Sequence, residues 1–405
     1  MRIKVCPSKA NGVISAPPSK SMAHSMLICA ALSEGTSIID NIAFSQDILA
    51  TLDCVKAMGA DVTIDGNVIT LKGIGGKETL PPTTYMCRES GSTLRFFMGI
   101  AMAVGYDSTF CGSETLLGRP LSVYENICKD QGIEYSNEGK IHLKGQIKPG
   151  DYVLPGNVSS QFISGLLFSL PLLGADSRII FNTNIESLSY IGLTIQALEM
   201  FGVRVSWSDE KTLYIPGNQK YISCNTAVEG DYSNAAFLDV FNTMGGNVTV
   251  TGLKADSIQG DRVYKEHFEA LSKGCATVDI TDCPDLGPIL FVVAALNQGG
   301  IFTGTARLKI KESDRGTVMC QELAKFGVET VLEDDRIEIK KCELHAPTED
   351  IDGHNDHRIV MSFTTMLSVT GGELFGAEAV RKSYPDYFDK VKELGIEVET
   401  DGLDS

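Results

Sequence analysis

Residues 47–73 read DILATLDCVKAMGADVTIDGNVITLKG, and this stretch decides the fold because the chain repeats its pattern. Residues 47–58 place apolar side chains three and four positions apart, which predicts an amphipathic helix. Gly59 follows, and a glycine just past the last turn commonly ends a helix in a left-handed conformation. Apolar and polar residues then alternate on both sides of Asp65-Gly66, which predicts a β-hairpin.

Five further segments share the pattern of an amphipathic helix that ends at a glycine before an alternating stretch. They are LSVYENICKDQ before Gly132, YIGLTIQALEMF before Gly202, VYKEHFEALSK before Gly274, GTVMCQELAKF before Gly327 and YFDKVKEL before Gly395. The six glycines lie 73, 70, 72, 53 and 68 residues apart. A period this regular indicates six structural repeats. The short interval predicts that the hairpin is missing after the fourth repeat.

Upstream of each glycine lies a second helix-like run that is apolar on nearly all sides. These runs are HSMLICAAL, TLRFFMGIAMAVG, QFISGLLFSLPLLG, NAAFLDVFNTMGG, LGPILFVVAALNQGG and RIVMSFTTMLSVTGG, and a β-rich stretch follows each. Helices of this kind lie in protein cores. The repeat is therefore a buried helix, a strand, an amphipathic helix, a strand and usually a further hairpin strand, which predicts an α/β fold.

Composition excludes several classes of protein. The chain has 405 residues, enough for two or three domains. Its 35 basic and 52 acidic residues give a net charge of −17, which disfavours nucleic acid as a partner. No apolar run reaches about 18 residues and no targeting segment begins the chain, so we expect a cytoplasmic protein without a membrane partner. The 11 cysteines show no metal-ligand spacing, so no structural metal is predicted.

Cationic residues stand where several of the buried helices begin. The first helix begins at Lys20 in PPSKS, the second contains Arg95 in ESGSTLR, and the sixth begins with His357 and Arg358 in NDHR. A helix N-terminus already carries a partial positive charge, so added cations there indicate an anionic ligand or a neighbouring carboxylate. The serines at these helix starts are explained equally well by N-capping.

Nine motifs, in order along the whole chain, resemble the enolpyruvyl transferase superfamily and, within it, the EPSP synthase family. They are SKS at 19–21, SGSTLR at 90–95, GRP at 118–120, VSSQF at 158–162, EGD at 229–231, PD at 284–285, KESDR at 311–315, NDHR at 355–358 and YPDYF at 384–388. The resemblance implies a two-domain architecture that is similar to an inverse α/β barrel, with three βαβαββ units in each domain. It implies domains at 18–228 and at 1–17 plus 229–405, with the active site in the cleft between them.

The family's reaction moves the enolpyruvyl group of phosphoenolpyruvate (PEP) to the 5-hydroxyl of shikimate 3-phosphate and releases phosphate. The resemblance therefore implies two small-molecule substrates, no cofactor and no metal, and we expect a monomer. Such a reaction needs a base for the hydroxyl proton, an acid for the PEP methylene carbon, and cations for phosphates and carboxylates.

The resemblance also assigns roles to residues through the matching motifs. The residues assigned to PEP are Lys20, Gly91, Arg119, Gln161, Arg315, Arg358 and Lys382. The residues assigned to shikimate 3-phosphate are Lys20, Ser21, Ser159, Ser160, Gln161, Ser187, Asp285 and Lys311. Asp285 is the implied base, and Glu312 the implied proton carrier to the methylene carbon, assisted by Lys20 or Lys382. His357 is expected to orient Glu312, to hold phosphate or to act only as a structural hydrogen-bonding group.

The chain departs from the family pattern at several positions, and most clearly in the first motif. Where the family has an arginine that binds the substrate carboxylate, in S-K-S-x-x-x-R, this chain has Ser25. Three hypotheses follow. The protein is an EPSP synthase with a compensated or weakened acceptor site; it uses another acceptor, such as the UDP-N-acetylglucosamine of a known relative; or it is a non-catalytic anion-binding paralogue. Retention of Lys20, Asp285, Glu312 and Lys382 favours an enzyme over the third hypothesis.

Overall fold

The chain is described by a computed structural model over residues 1–75, 79–105 and 107–401. It forms two compact units. The central unit is Pro18–Glu229, and the terminal unit is Met1–Pro17 with Gly230–Ser405. None of the helices in these described ranges combines the length and the apolar composition that crossing a bilayer requires.

The elements of the central unit form three repeats. Two strands of the terminal unit come first, β1 (Arg2–Val5) and β2 (Asn11–Ser15). The central helices are α1 (Lys20–Leu32), α2 (Gln46–Ala57), α3 (Gly91–Val104), α4 (Glu114–Leu117), α5 (Ser122–Gln131), α6 (Ser160–Ser169) and α7 (Leu188–Met200). The central strands are β3 (Thr36–Asp40), β4 (Asp61–Asp65), β5 (Val68–Lys72), β6 (Thr83–Met86), β7 (Asp107–Cys111), β8 (Glu134–Asn137), β9 (Ile141–Lys144), β10 (Asp151–Leu154), β11 (Ser177–Phe181), β12 (Ser206–Asp209), β13 (Thr212–Ile215) and β14 (Thr226–Ala227).

The rest of the terminal unit repeats the same succession of elements. Its helices are α8 (Tyr232–Asp239), α9 (Tyr264–Lys273), α10 (Gly287–Leu296), α11 (Arg315–Ala324), α12 (His357–Thr370) and α13 (Tyr387–Glu393). Its strands are β15 (Asn247–Thr251), β16 (Ala276–Asp279), β17 (Gly300–Thr303), β18 (Thr330–Leu332), β19 (Arg336–Ile339), β20 (Ile351–Asp352), β21 (Gly372–Phe375) and β22 (Val398–Asp401). Short 3-10 turns precede or follow several of the helices.

Five of the six sheets share one strand pattern. Each has four strands, a parallel pair followed by two antiparallel pairings, as in the order β6-β7-β9-β8, and in four of the five sheets the last two strands form a hairpin. The sixth sheet pairs only β15 with β2. The two-stranded sheet belongs to the fourth repeat, as the short glycine interval predicts. Within the described residues, the first and last strands of each four-stranded sheet do not pair with each other, so these sheets are open and do not form barrels.

Strands from the ends of the two units' sequences complete two of the sheets. Strand β1 lies between β21 and β22 and is antiparallel to both, so the N-terminus supplies the sixth repeat with a strand. In the central unit, β14 at the end of the third repeat pairs in parallel with β3 of the first. Each unit therefore closes its set of repeats with a strand from the far end of its own sequence.

The six-repeat α/β fold predicted from the glycine spacing is confirmed, with one local exception. Gly132 caps α5 in the left-handed region at φ 71°, as predicted. Gly274 has an extended backbone at φ 172° and is not a left-handed cap. The chain after Gly274 enters β16, which is the first strand of the next sheet, whereas the chain after Gly132 enters β8, which is one arm of a hairpin.

Close packing of two buried helices sets the position of the central unit's polar residues. A Cβ added to Gly99 on α3 would lie 2.5 Å from the Gly165 carbonyl oxygen on α6. A Cβ added to Gly165 would lie 2.1 Å from the Tyr124 hydroxyl, which donates a hydrogen bond to the Arg95 carbonyl at 2.7 Å. Only glycine allows this approach. The contact brings the N-terminal turns of α3 and α6, which carry Arg95 and Gln161, next to each other.

Candidate functional site

Two guanidinium groups of the central unit converge on the first residue of α3. A Cβ added to Gly91 would lie 2.8 Å from Arg119 Nη1, 3.3 Å from Arg95 Nη1 and 3.8 Å from Gln161 Oε1. A side chain at this position would therefore displace the Arg119 guanidinium from the backbone. We call Gly91, Arg95, Arg119 and Gln161 the Gly91 cluster, and it lies at a helix N-terminus, where anions are favoured.

The two arginines of the Gly91 cluster differ in their partners. Arg95 Nη1 donates to Gln161 Oε1 at 2.6 Å, and Gln161 Nε2 donates to Ser92 Oγ at 2.8 Å. The Arg95 guanidinium also lies 5.0 Å from the centre of the buried Phe162 ring. Arg119 is half-buried, and across the described part of the chain its guanidinium makes no hydrogen bond or ion pair. Arg119 is therefore open to a bidentate contact with a carboxylate or phosphate.

Lys20 begins α1 and is held by a carboxylate that sequence reasoning missed. The Lys20 ammonium lies 2.9 Å from Asp47 Oδ2, and the two side chains are only 17% and 11% exposed. Ser19 caps the helix by accepting from the Met22 amide. A partly desolvated pair of this kind fixes the direction of the lysine side chain. An anion approaching Lys20 must share it with Asp47.

The position of the missing family arginine contains no cation. Ser25 is buried, and its hydroxyl donates to the Ser21 carbonyl at 3.2 Å. Neighbouring His24 is buried as well, with Nδ1 2.7 Å from Thr51 Oγ1. Burial, with a smaller contribution from Lys20, lowers the pKa of His24 to about 3. His24 is therefore neutral at physiological pH and does not replace the missing charge.

The remaining serines assigned to shikimate 3-phosphate lie at helix starts of the same unit. Ser159 caps α6 by accepting from the Gln161 amide, and buried Ser160 is the first residue of that helix. Ser187 precedes α7 with a left-handed backbone, φ 54°, and is also buried. Capping therefore accounts for Ser159 structurally. Ser160 shares its helical turn with Gln161 and so lies next to the Gly91 cluster.

The terminal unit gathers three carboxylates on one buried arginine. Arg315, only 1% exposed, donates to both oxygens of Asp356, from Nε at 2.8 Å and from Nη2 at 3.2 Å. It also donates from Nη1 to Asp285 at 2.9 Å and from Nη2 to Glu312 at 2.6 Å. We call Asp285, Glu312, Arg315 and Asp356 the Arg315 cluster. These contacts use the planar donor pattern that distinguishes arginine from lysine.

Asp285 is the most strongly compensated carboxylate of the Arg315 cluster. Lys311 Nζ donates to its Oδ1 at 2.9 Å, and Arg358 Nη2 lies 3.7 Å from its Oδ2. Burial acts to raise the pKa of Asp285, but Lys311, Arg358 and Arg315 outweigh it and hold the pKa well below its ordinary value. Asp285 is therefore ionised throughout the physiological range. Behind it, burial and the charge of Asp285 raise the pKa of Asp261 to about 7.

The other predicted residues of the terminal unit lie at the start of α12 and beside it. Asp356 caps α12 by accepting from the Arg358 amide at 2.9 Å. His357 occupies the first turn of that helix and is 2% exposed. Lys382 Nζ donates to the Asn355 carbonyl at 2.7 Å. The NDHR motif thus supplies a carboxylate to Arg315, a carbonyl to Lys382 and the arginine near Asp285.

The structure adds two carboxylates to the residues assigned from sequence. In the sequence, Asp356 stands out only as part of the NDHR motif, and Asp47 only as the start of a predicted helix. Their roles come from partners 41 and 27 residues away in sequence, Arg315 and Lys20. An aspartate in the first turn of a helix is expected there in any protein, so no local signal separates an ion-pair partner from a capping residue.

Solved structures with a similar fold include an EPSP synthase and an enolpyruvyl transferase. An EPSP synthase from Acinetobacter baumannii matches 98% of this chain and 100% of its own length with a TM-score of 0.78 and 22% identity. The enolpyruvyl transferase NikO from Streptomyces tendae matches 98% of each chain with a TM-score of 0.77 and 12% identity. The fold is thus that of the enolpyruvyl transferases.

Sequence comparison narrows this class to one family. The family model for EPSP synthase (3-phosphoshikimate 1-carboxyvinyltransferase) matches residues 6–391. Proteins named 3-phosphoshikimate 1-carboxyvinyltransferase from Clostridium kluyveri and Clostridium novyi are 39% and 41% identical to this chain. These matches cover 98% and 97% of this chain, and the same shares of the two relatives. The chain belongs to the EPSP synthase family and is a transferase, which confirms the resemblance.

Proposed function

We propose that this protein transfers the enolpyruvyl group of PEP to the 5-hydroxyl of shikimate 3-phosphate and releases phosphate. Family membership supports the reaction, and the two clusters supply the chemistry that it requires. The observation that carries the proposal is that Asp285 and Glu312 bind the same guanidinium, that of Arg315. A base and a proton carrier are thereby held close together on one rigid group.

Cations of both units are assigned to the substrate anions. In the central unit, Arg119 is open to the carboxylate or phosphate of PEP, with the bare backbone of Gly91 beside it. Lys20 and Gln161 contribute a cation and an amide donor. In the terminal unit, Arg315, Arg358 and Lys382 are assigned to PEP, and Lys311 to the acceptor. Charge-assisted hydrogen bonds of this kind each contribute about 1.5–3 kcal/mol.

Proton transfer follows from the compensation of Asp285. In the addition step, the 5-hydroxyl oxygen forms a bond to C2 of PEP, its proton passes to Asp285, and C3 gains a proton from Glu312. In the elimination step, Glu312 takes a proton back from C3 as the bond between C2 and the phosphate oxygen breaks, and the departing phosphate takes the proton from Asp285. The cations that hold the pKa of Asp285 low are those assigned to substrates. When substrate anions bind to these cations, their charge is partly neutralised, so the pKa of Asp285 rises and the carboxylate becomes a stronger base.

The residues at the predicted acceptor site also suggest a second candidate for the acceptor substrate. Ser25 is buried, and neutral His24 beside it brings no positive charge to the place where the family binds a carboxylate. An acceptor without that carboxylate is the alternative. The monomeric state and cytoplasmic location expected from the sequence, and the domain bounds with an active site between them, also stay predictions.

The test is phosphate release by the purified protein with PEP and three acceptor conditions: shikimate 3-phosphate, UDP-N-acetylglucosamine and none. We expect release only with shikimate 3-phosphate. Release with the nucleotide sugar instead would establish the alternative acceptor. Absence of release in all three, with PEP binding retained, would overturn the proposed reaction and favour an anion-binding paralogue.

A further inference from the structure

Two consecutive residues of the NDHR turn have a backbone conformation that side chains disfavour. His354 and Asn355, between β20 and α12, have φ values of 47° and 51°. The left-handed region costs roughly 1–2 kcal/mol for a residue with a Cβ, although asparagine and histidine tolerate it better than most. Two such residues in succession persist only where surrounding contacts determine the turn.

This turn presents groups that the proposed reaction uses. The Asn355 carbonyl accepts the hydrogen bond from the Lys382 ammonium. The next residue, Asp356, binds the Arg315 guanidinium through both oxygens and caps α12, which carries Arg358. A change in the turn would therefore move the partner of Lys382 and that of Arg315 together.

Helix α11 holds the turn at a second point through Glu322. Glu322 lies seven residues after Arg315, so the two side chains project from the same face of the helix, two turns apart. Its carboxylate lies 3.0 Å from His354 Nε2 and accepts from Lys325 Nζ at 2.7 Å and the Asp352 amide at 3.1 Å. The Glu322 side chain is only 4% exposed, so these contacts are shielded from solvent.

We propose that His354 is a positioning residue for the reaction: its contact with Glu322 fixes the left-handed turn that places Asn355 against Lys382 and Asp356 against Arg315. The inference rests on the proposed function for its kinetic readout. The side chain of His354 contacts Glu322 and lies outside both the Gly91 cluster and the Arg315 cluster. His354 acts on the reaction only through the turn.

The contact also makes the turn sensitive to pH. The charged groups that face His354 are Glu322 and Lys325 from α11 and Asp352 from its own segment. The hydrogen bond to Glu322 raises the pKa of His354, against the opposing effects of burial and Lys325. Because the folded-state pKa is raised, the charged contact is present below the ordinary histidine pKa and is lost as pH rises through the higher value.

Two substitutions test the proposal. His354→Leu removes the donor, and His354→Gln keeps a neutral donor near the position of Nε2. We expect His354→Leu to lower kcat/KM for PEP about tenfold at pH 7 and to leave KM for shikimate 3-phosphate within twofold. His354→Gln should stay within threefold of wild type at pH 7. It should also lose the component of the alkaline decline in kcat/KM that follows the titration of His354.

His142→Leu is the matched control, because His142 Nε2 lies 2.8 Å from Asp107 in a half-exposed pair of the central unit. It should leave both kinetic constants unchanged. The positioning role is overturned if His354→Leu stays within twofold of wild type, or if His354→Gln keeps the wild-type alkaline decline. If His354→Leu does not fold, the pH profiles of wild type and His354→Gln decide. An inactive wild type would instead overturn the proposed function.

Discussion

The Gly91 cluster and the Arg315 cluster handle positive charge in opposite ways. In the central unit, the Arg119 guanidinium has no ionic partner among the described residues, and the neighbouring Arg95 is bound by a neutral amide. In the terminal unit, Arg315 is surrounded by three carboxylates of the protein itself. The comparison shows that an anion site can be left open for its ligand or filled by internal anions. The first arrangement favours binding, and the second favours a fixed geometry for proton transfer.

Loss of Arg315 should have the largest effect, because it leaves three carboxylates without their shared partner. We expect Arg315→Met to lower the free energy of unfolding by about 3–5 kcal/mol, the cost of breaking a buried ion pair. Equilibrium unfolding in urea measures this change in the free energy of unfolding. Arg336→Met, which removes a more exposed arginine paired with Glu338, is the control and should cost under about 1 kcal/mol. Equal losses in the two variants would show that the Arg315 cluster is not a structural ion network.

Loss of Arg119 should reverse this pattern, with a large effect on binding and little on stability. We expect Arg119→Met to weaken PEP binding by roughly 10- to 100-fold, which corresponds to one charge-assisted contact of about 1.5–3 kcal/mol. Isothermal titration with PEP, alone and with shikimate 3-phosphate, measures the change. Arg178→Met is the control, since Arg178 pairs with Asp151 at an exposed edge of the same unit. A stability loss without a change in affinity would contradict the open-site interpretation.

Acid should destabilise the terminal unit before the central unit. Burial raises the pKa of Asp285 and Glu322, but neighbouring cations and hydrogen bonds lower both pKa values overall. Stability from carboxylates with lowered folded-state pKa values is present above their ordinary pKa and is lost as pH falls through the folded values. We expect hydrogen exchange at about pH 3 to show less protection of the backbone amides in α12 than in α3. Equal loss of protection in the two helices would count against the comparison.

Gly91→Ala should give a smaller loss than Arg119→Met, because it displaces the guanidinium without removing it. The added Cβ would lie 2.8 Å from Arg119 Nη1, a distance that side chains do not tolerate. The arginine is flexible and half-buried, so we expect PEP affinity to fall about fivefold, or about 1 kcal/mol. Gly174→Ala is the matched control, since its Cβ would meet no neighbouring atom. If the PEP affinity of Gly91→Ala is unchanged, Arg119 does not bind PEP from its position beside Gly91.

Ser25→Arg should give the smallest change and sharpens the identity of the acceptor. The new guanidinium gains a contact with a substrate carboxylate but must be accommodated at a site that is now buried. We expect the apparent KM for shikimate 3-phosphate to fall two- to threefold and the apparent KM for PEP to stay nearly unchanged. Initial rates at varied concentrations of each substrate measure both. Equal movement of the two constants would remove Ser25 as a determinant of acceptor binding.

Local patterns predict the repeat, whereas long-range pairing decides the details of the clusters. The glycine that ends α5 is readable because helix, cap and strand follow one another in sequence. Gly274 has the same local pattern, but its backbone is extended and the strand that follows joins the next sheet, which the local pattern does not show. Likewise, KESDR and NDHR are recognisable motifs, yet the contact between Arg315 and Asp356 joins positions 41 residues apart. Lys20 and Asp47 lack a shared motif altogether.

The place of β1 has a consequence for synthesis on the ribosome. The central unit is one continuous stretch, so all of its strands have emerged once Ala227 at the end of β14 has left the exit tunnel. The terminal unit holds its first strand from the start, but β21 and β22, between which β1 lies, are made last. Residues 2–5 must therefore wait while almost the whole chain is translated. We expect nascent chains that are long enough for Glu229 to have left the exit tunnel to contain a protease-resistant central unit and an unprotected N-terminal segment.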